Sequence, residues 1–338
     1  MKERLEIIDG LRGVAAFSVV LGHLSSRTAL AGIMGHGYLG VSIFFVLSGF
    51  VIAMSVDDRF ISASFAGRFA ARRAIRLDPP YWASIAVALT LTWFAARNGF
   101  PREIPGAAEL FAHLFYLQDI LGFESISSVY WTLCYEIQFY LFFLVMMWLR
   151  QHTRGFWFLW CAVFVVSLAE LAELIDISGN AVFLQYWFSF AMGAMTYWAV
   201  RAKIHPAALV AAAAATLSLT FSSHAPWCIT TVLTVIVIYW GVRRNSAWLS
   251  AAPVQFLGRI SYSMYLFHPL VGWTAMSIAL KFSSTWIAFL VGVIASIVSA
   301  WVAYYLIERP SVRLSRFVSV DRAKASPIAH QQISTKQS

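Results

Sequence analysis

The sequence predicts an all-α polytopic membrane protein with about ten transmembrane helices and both termini in the cytoplasm. Three observations predict it. The 338 residues are 60% hydrophobic and 12% charged, where a soluble domain averages about 45–50% apolar and about 25% charged. The apolar residues gather in runs close to the roughly 20 residues that cross a bilayer. Lys and Arg cluster at the ends of alternate runs, which is the pattern of topology signals.

Ten runs read as spans, near 8–28, 37–56, 78–96, 130–149, 155–175, 181–200, 206–222, 226–242, 257–280 and 284–307. The first carries Asp9 and Arg12 and leads into further spans, so no cleavable signal peptide is expected. Pro79-Pro80 are expected to open the third span, and Pro206 and Pro226 the seventh and eighth. Proline fits the first turn of a helix, where its missing N–H has no partner to lose. The stretch 97–129 is the longest outside the spans. Its second half, AELFAHLFYLQDILGF, is too short to cross and is expected to lie at the interface or to re-enter the bundle. Residues 1–318 form one transmembrane domain, and 319–338, polar and ending QQISTKQS, are expected to be a disordered cytoplasmic tail.

With the N-terminus inside, twenty of the 25 Lys and Arg face the cytoplasm, four face outward, and Arg12 lies within the first span. That asymmetry fixes the expected orientation. The net charge of +9 is dispersed at span ends, so it does not suggest nucleic acid. Cys134, Cys161 and Cys228 fall in apolar runs, which argues against a disulfide framework or a zinc site, and no metal-ligand spacing appears.

Ionisable residues inside the bilayer are costly and mark candidate sites. Arg12 and His23 are eleven residues apart, about three helical turns and roughly 16 Å, so they share a face, with Asp9 one turn below Arg12. His23 lies about 20 Å above the inner edge of its span, and Glu136 roughly 10 Å below the outer edge of the fourth. The matched depths predict an acid/base pair in which Glu136 orients His23; the alternative is a buried pair used for packing. Arg72, Arg73 and Arg76 stand at the cytoplasmic end of the third span, Arg73 and Arg76 on one face. Their guanidinium forks suit phosphate oxygens, although membrane anchoring also explains arginines there. His268 precedes Pro269 in the ninth span, where a freed carbonyl must find another partner. It is either part of a polar kink beside a cavity or a satisfied core histidine. Gly40, Ser48 and Gly49 read as close helix packing.

These residues together resemble the acyltransferase-3 family of integral membrane acyltransferases. IDGLRGVAAFSVVLGH resembles its opening and carries an Arg-x10-His spacing at Arg12 and His23. GVSIFFVLSGFVI, RRAIRLDPPY, YWTLCYEIQFYL, GRISYSMYLFHPLV and IERP resemble its later landmarks, in order, over residues 5–315. The resemblance implies a ten-helix enzyme of the bacterial inner membrane that moves an acyl group, usually acetyl, from cytoplasmic acyl-CoA to a hydroxyl of an envelope carbohydrate or lipid-linked sugar. It implies a central catalytic role for His23, with Glu136, Arg12 and Asp9 beside it, and CoA binding by Arg72, Arg73 and Arg76. Trp131, Gln138, Tyr140 and His268, which match its landmarks, are assigned to the acceptor. Where many members carry a second carboxylate after the one matching Glu136, this chain has Ile137. The extracytoplasmic hydrolase-like domain of some members is not expected here.

The rival reading is a transporter that uses the same polar stripe as a proton relay. No inverted repeat or paired broken helices support it.

Overall fold

The computed structural model describes residues 6–320 apart from 27, 100–103, 154, 178, 180, 220–222 and 245–247. Most of the expected tail lies outside these residues. Among the described residues all regular structure is helical. The elements are α1 (Glu6–Ser25), α2 (Ala31–Met34), a 3₁₀ turn (Gly35–Leu39), α3 (Gly40–Val56), α4 (Ala63–Arg97), α5 (Ala107–Leu114), α6 (Trp131–His152) and α7 (Phe156–Leu171). There follow α8 (Trp187–Val200), α9 (Pro206–Leu217), α10 (Ala225–Arg243), α11 (Ala252–Phe267), α12 (Trp273–Ala279), α13 (Thr285–Ala303) and α14 (Arg309–Ser315). A π-helical turn, His268–Gly272, joins α11 to α12, and another, Tyr304–Glu308, joins α13 to α14. Each of the ten expected spans holds helix. Five of the helical stretches among the described residues are long and apolar enough to cross a membrane, namely Glu6–Ser25, Ala31–Val56, Trp131–His152, Ala225–Arg243 and Thr285–Ser315.

Between lipid-embedded helices apolar burial gives little drive, so close approach of small residues decides the packing. Gly49 of α3 and Gly193 of α8 meet this way. A Cβ on Gly49 would lie 2.0 Å from the Phe190 carbonyl oxygen, and one on Gly193 2.0 Å from that of Val46. The α1–α11 crossing uses the same device. A Cβ on Gly13 would lie 2.6 Å from the Gly258 nitrogen, and one on Gly258 2.2 Å from the Asp9 carbonyl oxygen. Around α6, α7 and α8 the core is aromatic, with Phe139 stacked on Phe190 at 4.0 Å and Trp160 edge-on to Trp187 at 4.8 Å.

One expectation about α4 is revised. Pro79-Pro80 do not open a helix but sit inside α4. The helix starts at Ala63 because the Ser62 hydroxyl caps it, accepting from the Phe65 N–H at 3.1 Å. Arg68, Arg72, Arg73 and Arg76 are therefore fixed to the same helical rod as the third expected span. The stretch before α6, expected at the interface or re-entrant, folds back against α4. Tyr116 stacks on Tyr81 at 4.5 Å and donates to Asp78 at 2.9 Å, and the Trp82 indole N–H donates to the Leu114 carbonyl at 3.2 Å. These contacts fall at the middle of α4.

Candidate active site

A cavity of about 800 Å³ opens among α1, α3, α4, α6 and α11, lined by Arg12, Arg73, Arg76 and Glu136. Charges so placed are tolerable only when paired and hydrogen-bonded. Glu136 accepts from the Ser48 hydroxyl at 2.5 Å and from the Tyr140 hydroxyl. Tyr140 in turn accepts from Arg73 Nη1 at 3.1 Å. The Arg73 guanidinium lies 4.4 Å from the Tyr140 ring centroid and 5.4 Å from that of Phe69, close enough for cation–π attraction. Arg12 Nε donates to the Ser261 hydroxyl at 3.4 Å. Arg76 feels the charges of Arg12, Arg73 and Glu308. Glu308 is buried and accepts from the Ser263 N–H at 3.2 Å and hydroxyl at 2.6 Å. Three cations against two carboxylates leave a positive surplus, so the cavity suits an anion.

Local sequence places these groups. Arg73 and Arg76 are one turn apart on α4, and Glu136 and Tyr140 are i,i+4 on α6, so each pair shares a face. Glu308 closes the second π turn, and His268 opens the first. Such turns recur at functional sites because they re-aim one side chain within an otherwise regular helix.

The second part of the site is a histidine pair. His23 Nδ1 lies 2.8 Å from His268 Nε2, with ring centroids 5.1 Å apart and planes 24° from parallel. The other nitrogen of His268, Nδ1, lies 2.9 Å from the Tyr265 carbonyl oxygen and 3.0 Å from that of Met264. The Trp273 indole N–H donates to the His23 carbonyl at 3.3 Å. Tyr265 connects the two parts. It lines the cavity, its ring centroid is 6.1 Å from that of His268, and its hydroxyl is 2.8 Å from Thr132 Oγ1.

The expected pairing of His23 with Glu136 is not what the structure holds. Glu136 belongs to the arginine cavity, and His23 pairs with His268. Rise per residue gives depth along a helix, but not the direction in which a side chain points. His268, expected at the acceptor, is fully buried against His23 instead. Asp9 lies one turn below Arg12 at the α1–α11 crossing and does not line the cavity, nor does Arg72. Trp131 packs among Tyr135, Tyr186 and Phe45. Gln138 ties α6 to the chain before α8, donating to the Ala181 carbonyl at 3.0 Å and accepting from the Phe183 N–H at 3.1 Å. Arg12, Arg73, Arg76, Glu136 and Tyr140 are brought together.

Ser48, expected in close helix packing, instead donates to Glu136, and Tyr265 and Glu308 join the site without a sequence assignment. Arg309, next to Glu308, points elsewhere and lies over the Tyr305 ring, 5.3 Å from its centroid. The signal available was a lone carboxylate ending a long apolar run.

A second cleft, of about 680 Å³, separates α4 from α6 and reaches Leu114, Phe115 and Tyr116. Arg73 and Tyr140 border both the cleft and the cavity. An apolar cleft thus lies on the other side of Arg73 and Tyr140 from the charged site.

The profile of the acyltransferase domain Acyl_transf_3 matches residues 5–305. The chain belongs to the acyltransferase-3 family. This acyltransferase-3 protein is 30% identical to BcsY of Komagataeibacter xylinus, described as a membrane-bound transacylase, with 91% of this chain and 83% of BcsY covered. It is 29% identical to nodulation protein 10 of Rhizobium leguminosarum bv. viciae, over 81% of this chain and 82% of that protein. A Staphylococcus aureus protein described as an O-acetyltransferase is 29% identical over 51% of this chain and 30% of its own length. No solved structure matches the acyltransferase-3 chain. The protein is a multi-pass membrane O-acyltransferase.

Proposed function

We propose that this O-acyltransferase of the bacterial inner membrane takes an acyl group, acetyl by default, from cytoplasmic acyl-CoA and gives it to a hydroxyl of an envelope carbohydrate or lipid-linked sugar. The observation that carries the proposal is the arginine cavity lying next to a paired histidine. The positive surplus of Arg12, Arg73 and Arg76 suits the phosphates of CoA, and guanidinium forks match phosphate oxygens. The Lys and Arg asymmetry supports a cytoplasmic mouth at the arginine end and both termini inside.

The chemistry needs a base. His23 takes the proton of the acceptor hydroxyl as its oxygen attacks the thioester carbonyl. The C–S bond breaks, and the thiolate recovers the proton from His23 as free CoA leaves. An acyl-histidine relay uses the same residue as nucleophile. Neutral imidazole suits either role near neutral pH. Glu136 holds Tyr140 and Arg73 in place at the phosphates rather than serving His23. The apolar cleft between α4 and α6, bordered by the same Arg73 and Tyr140, favours an acceptor that arrives with a lipid tail.

The test supplies radiolabelled acetyl-CoA to inside-out vesicles that carry wild-type protein or His23→Ala, and follows label into extractable glycan or lipid. Label that depends on His23 is expected, with the variant expressed at wild-type level. Undiminished labelling by His23→Ala removes His23 from the chemistry, and absence of acetyl-CoA binding removes the donor assignment.

A further inference from the structure

We propose that His268 and Pro269 form a positioning device that fixes which nitrogen of His23 is the base. The inference rests on the reading of His23 as the catalytic base or nucleophile, and it follows from the hydrogen-bond chain alone.

The chain is read from its fixed end. In a regular helix the Tyr265 carbonyl would accept from the N–H of residue 269, but proline has none. The freed oxygen is taken by the His268 ring, whose Nδ1 lies 2.9 Å from it and 3.0 Å from the Met264 oxygen. Carbonyl oxygens only accept, so Nδ1 of His268 carries the proton. In a neutral ring Nε2 then has only a lone pair. His23 Nδ1, 2.8 Å away, must therefore be the donor. With its proton on Nδ1, His23 keeps its lone pair on Nε2, the nitrogen turned away from His268. Each proton position follows from the one before it, and the sequence determinant is the dipeptide His268-Pro269.

The arrangement also serves the charged intermediate. When His23 accepts a proton at Nε2, its Nδ1–H still points at a full acceptor. The new positive charge is shared along the chain toward two carbonyl oxygens. His268 is fully buried, so no water competes for that bond. The logic matches hydroxyl-activating sites in which a third group sets the base's tautomer, with imidazole in place of carboxylate. His268 is a positioning residue, since its own nitrogens are all engaged away from any reacting atom.

The test compares His23→Ala, His268→Phe, His268→Gln and Pro269→Ala, each purified and checked for acetyl-CoA binding and thermal midpoint. Turnover of acetyl-CoA is read with 15N spectra of histidine-labelled protein, in which Nδ1–H and Nε2–H tautomers give distinct shifts. His268→Phe is expected to lower kcat about tenfold or more with little change in KM for acetyl-CoA. His268→Gln, which offers a carbonyl acceptor to His23 Nδ1–H, is expected to recover part of that loss. Pro269→Ala restores a backbone donor to Tyr265 and is expected to turn the single His23 tautomer into a mixture. Inactive His23→Ala with wild-type turnover in both His268 variants overturns the device but leaves the base assignment standing. Equal losses in Phe and Gln, or an unchanged His23 tautomer in Pro269→Ala, overturn it as well. Active His23→Ala refutes the base assignment itself.

Discussion

At the residue scale, Glu136 shows what a sequence can and cannot tell about a buried carboxylate. Its presence at bilayer depth was legible, because a lone charge in an apolar run must serve something. Its partner across the bundle was not, because Ser48 lies on another helix and nothing in either segment points to the other. Tyr140 was legible in principle, being i+4 to Glu136. Tyr140→Phe removes both the donor to Glu136 and the acceptor for Arg73. Hydrogen bonds to charged groups are worth about 1.5–3 kcal/mol each. The variant is expected to melt several degrees lower and to show a raised KM for acyl-CoA, since Arg73 loses its seat. Unchanged melting and KM count against that role.

At the element scale, α4 carries the difference from expectation. Proline in a first turn is the commoner case, so Pro79-Pro80 suggested a helix start. The deciding residue was Ser62, whose cap sets the true start well upstream. The stretch before α6 is held by His113, which is buried. Its Nδ1–H donates to the Glu109 carbonyl at 2.8 Å, and its Nε2 accepts from the Ile126 N–H at 3.0 Å. Burial holds the imidazole below its usual pKa of 6.5, against the opposing pull of the Glu109 carbonyl and nearby acidic charges. The folded state therefore binds fewer protons than the unfolded one below pH 6.5, and the local stability is lost as pH falls from there through the lowered value. Amide protection factors across residues 107–126, with the slower intrinsic exchange of acidic solution divided out, are expected to fall between pH 7.5 and acidic pH, and His113→Gln to abolish that fall. A pH-independent protection factor in the wild type contradicts this account.

At the scale of the whole molecule, the membrane class and all-helical fold were legible because composition and run length report directly on the solvent. The active-site layout was not, because helix azimuth and the α4–α6 gap are set by packing between distant segments. Arg12 and His23 were correctly placed on one helix, yet they serve different parts of the site. The gap makes a prediction of its own. Leu141 borders the side cleft but not the cavity. Leu141→Trp is expected to slow transfer to a lipid-tailed acceptor several-fold while leaving acetyl-CoA binding intact. Equal slowing with a water-soluble acceptor argues against lateral access.

The glycine crossing of α1 and α11 has a mechanical meaning. From Gly13 to His23 and from Gly258 to His268 the count is ten residues on each helix, so the two run in the same direction from the crossing. The contact is a fulcrum, and the histidines sit at the tips of two arms about 15 Å long. A relative tilt of about 4° moves the tips about 1 Å apart on that geometry, and a misplacement of that size costs a catalyst heavily. Arg12 sits beside the fulcrum and hardly moves. Bilayers that tilt α1 are therefore expected to change turnover while leaving acyl-CoA affinity nearly constant, a separation measurable by reconstitution in lipids of graded chain length.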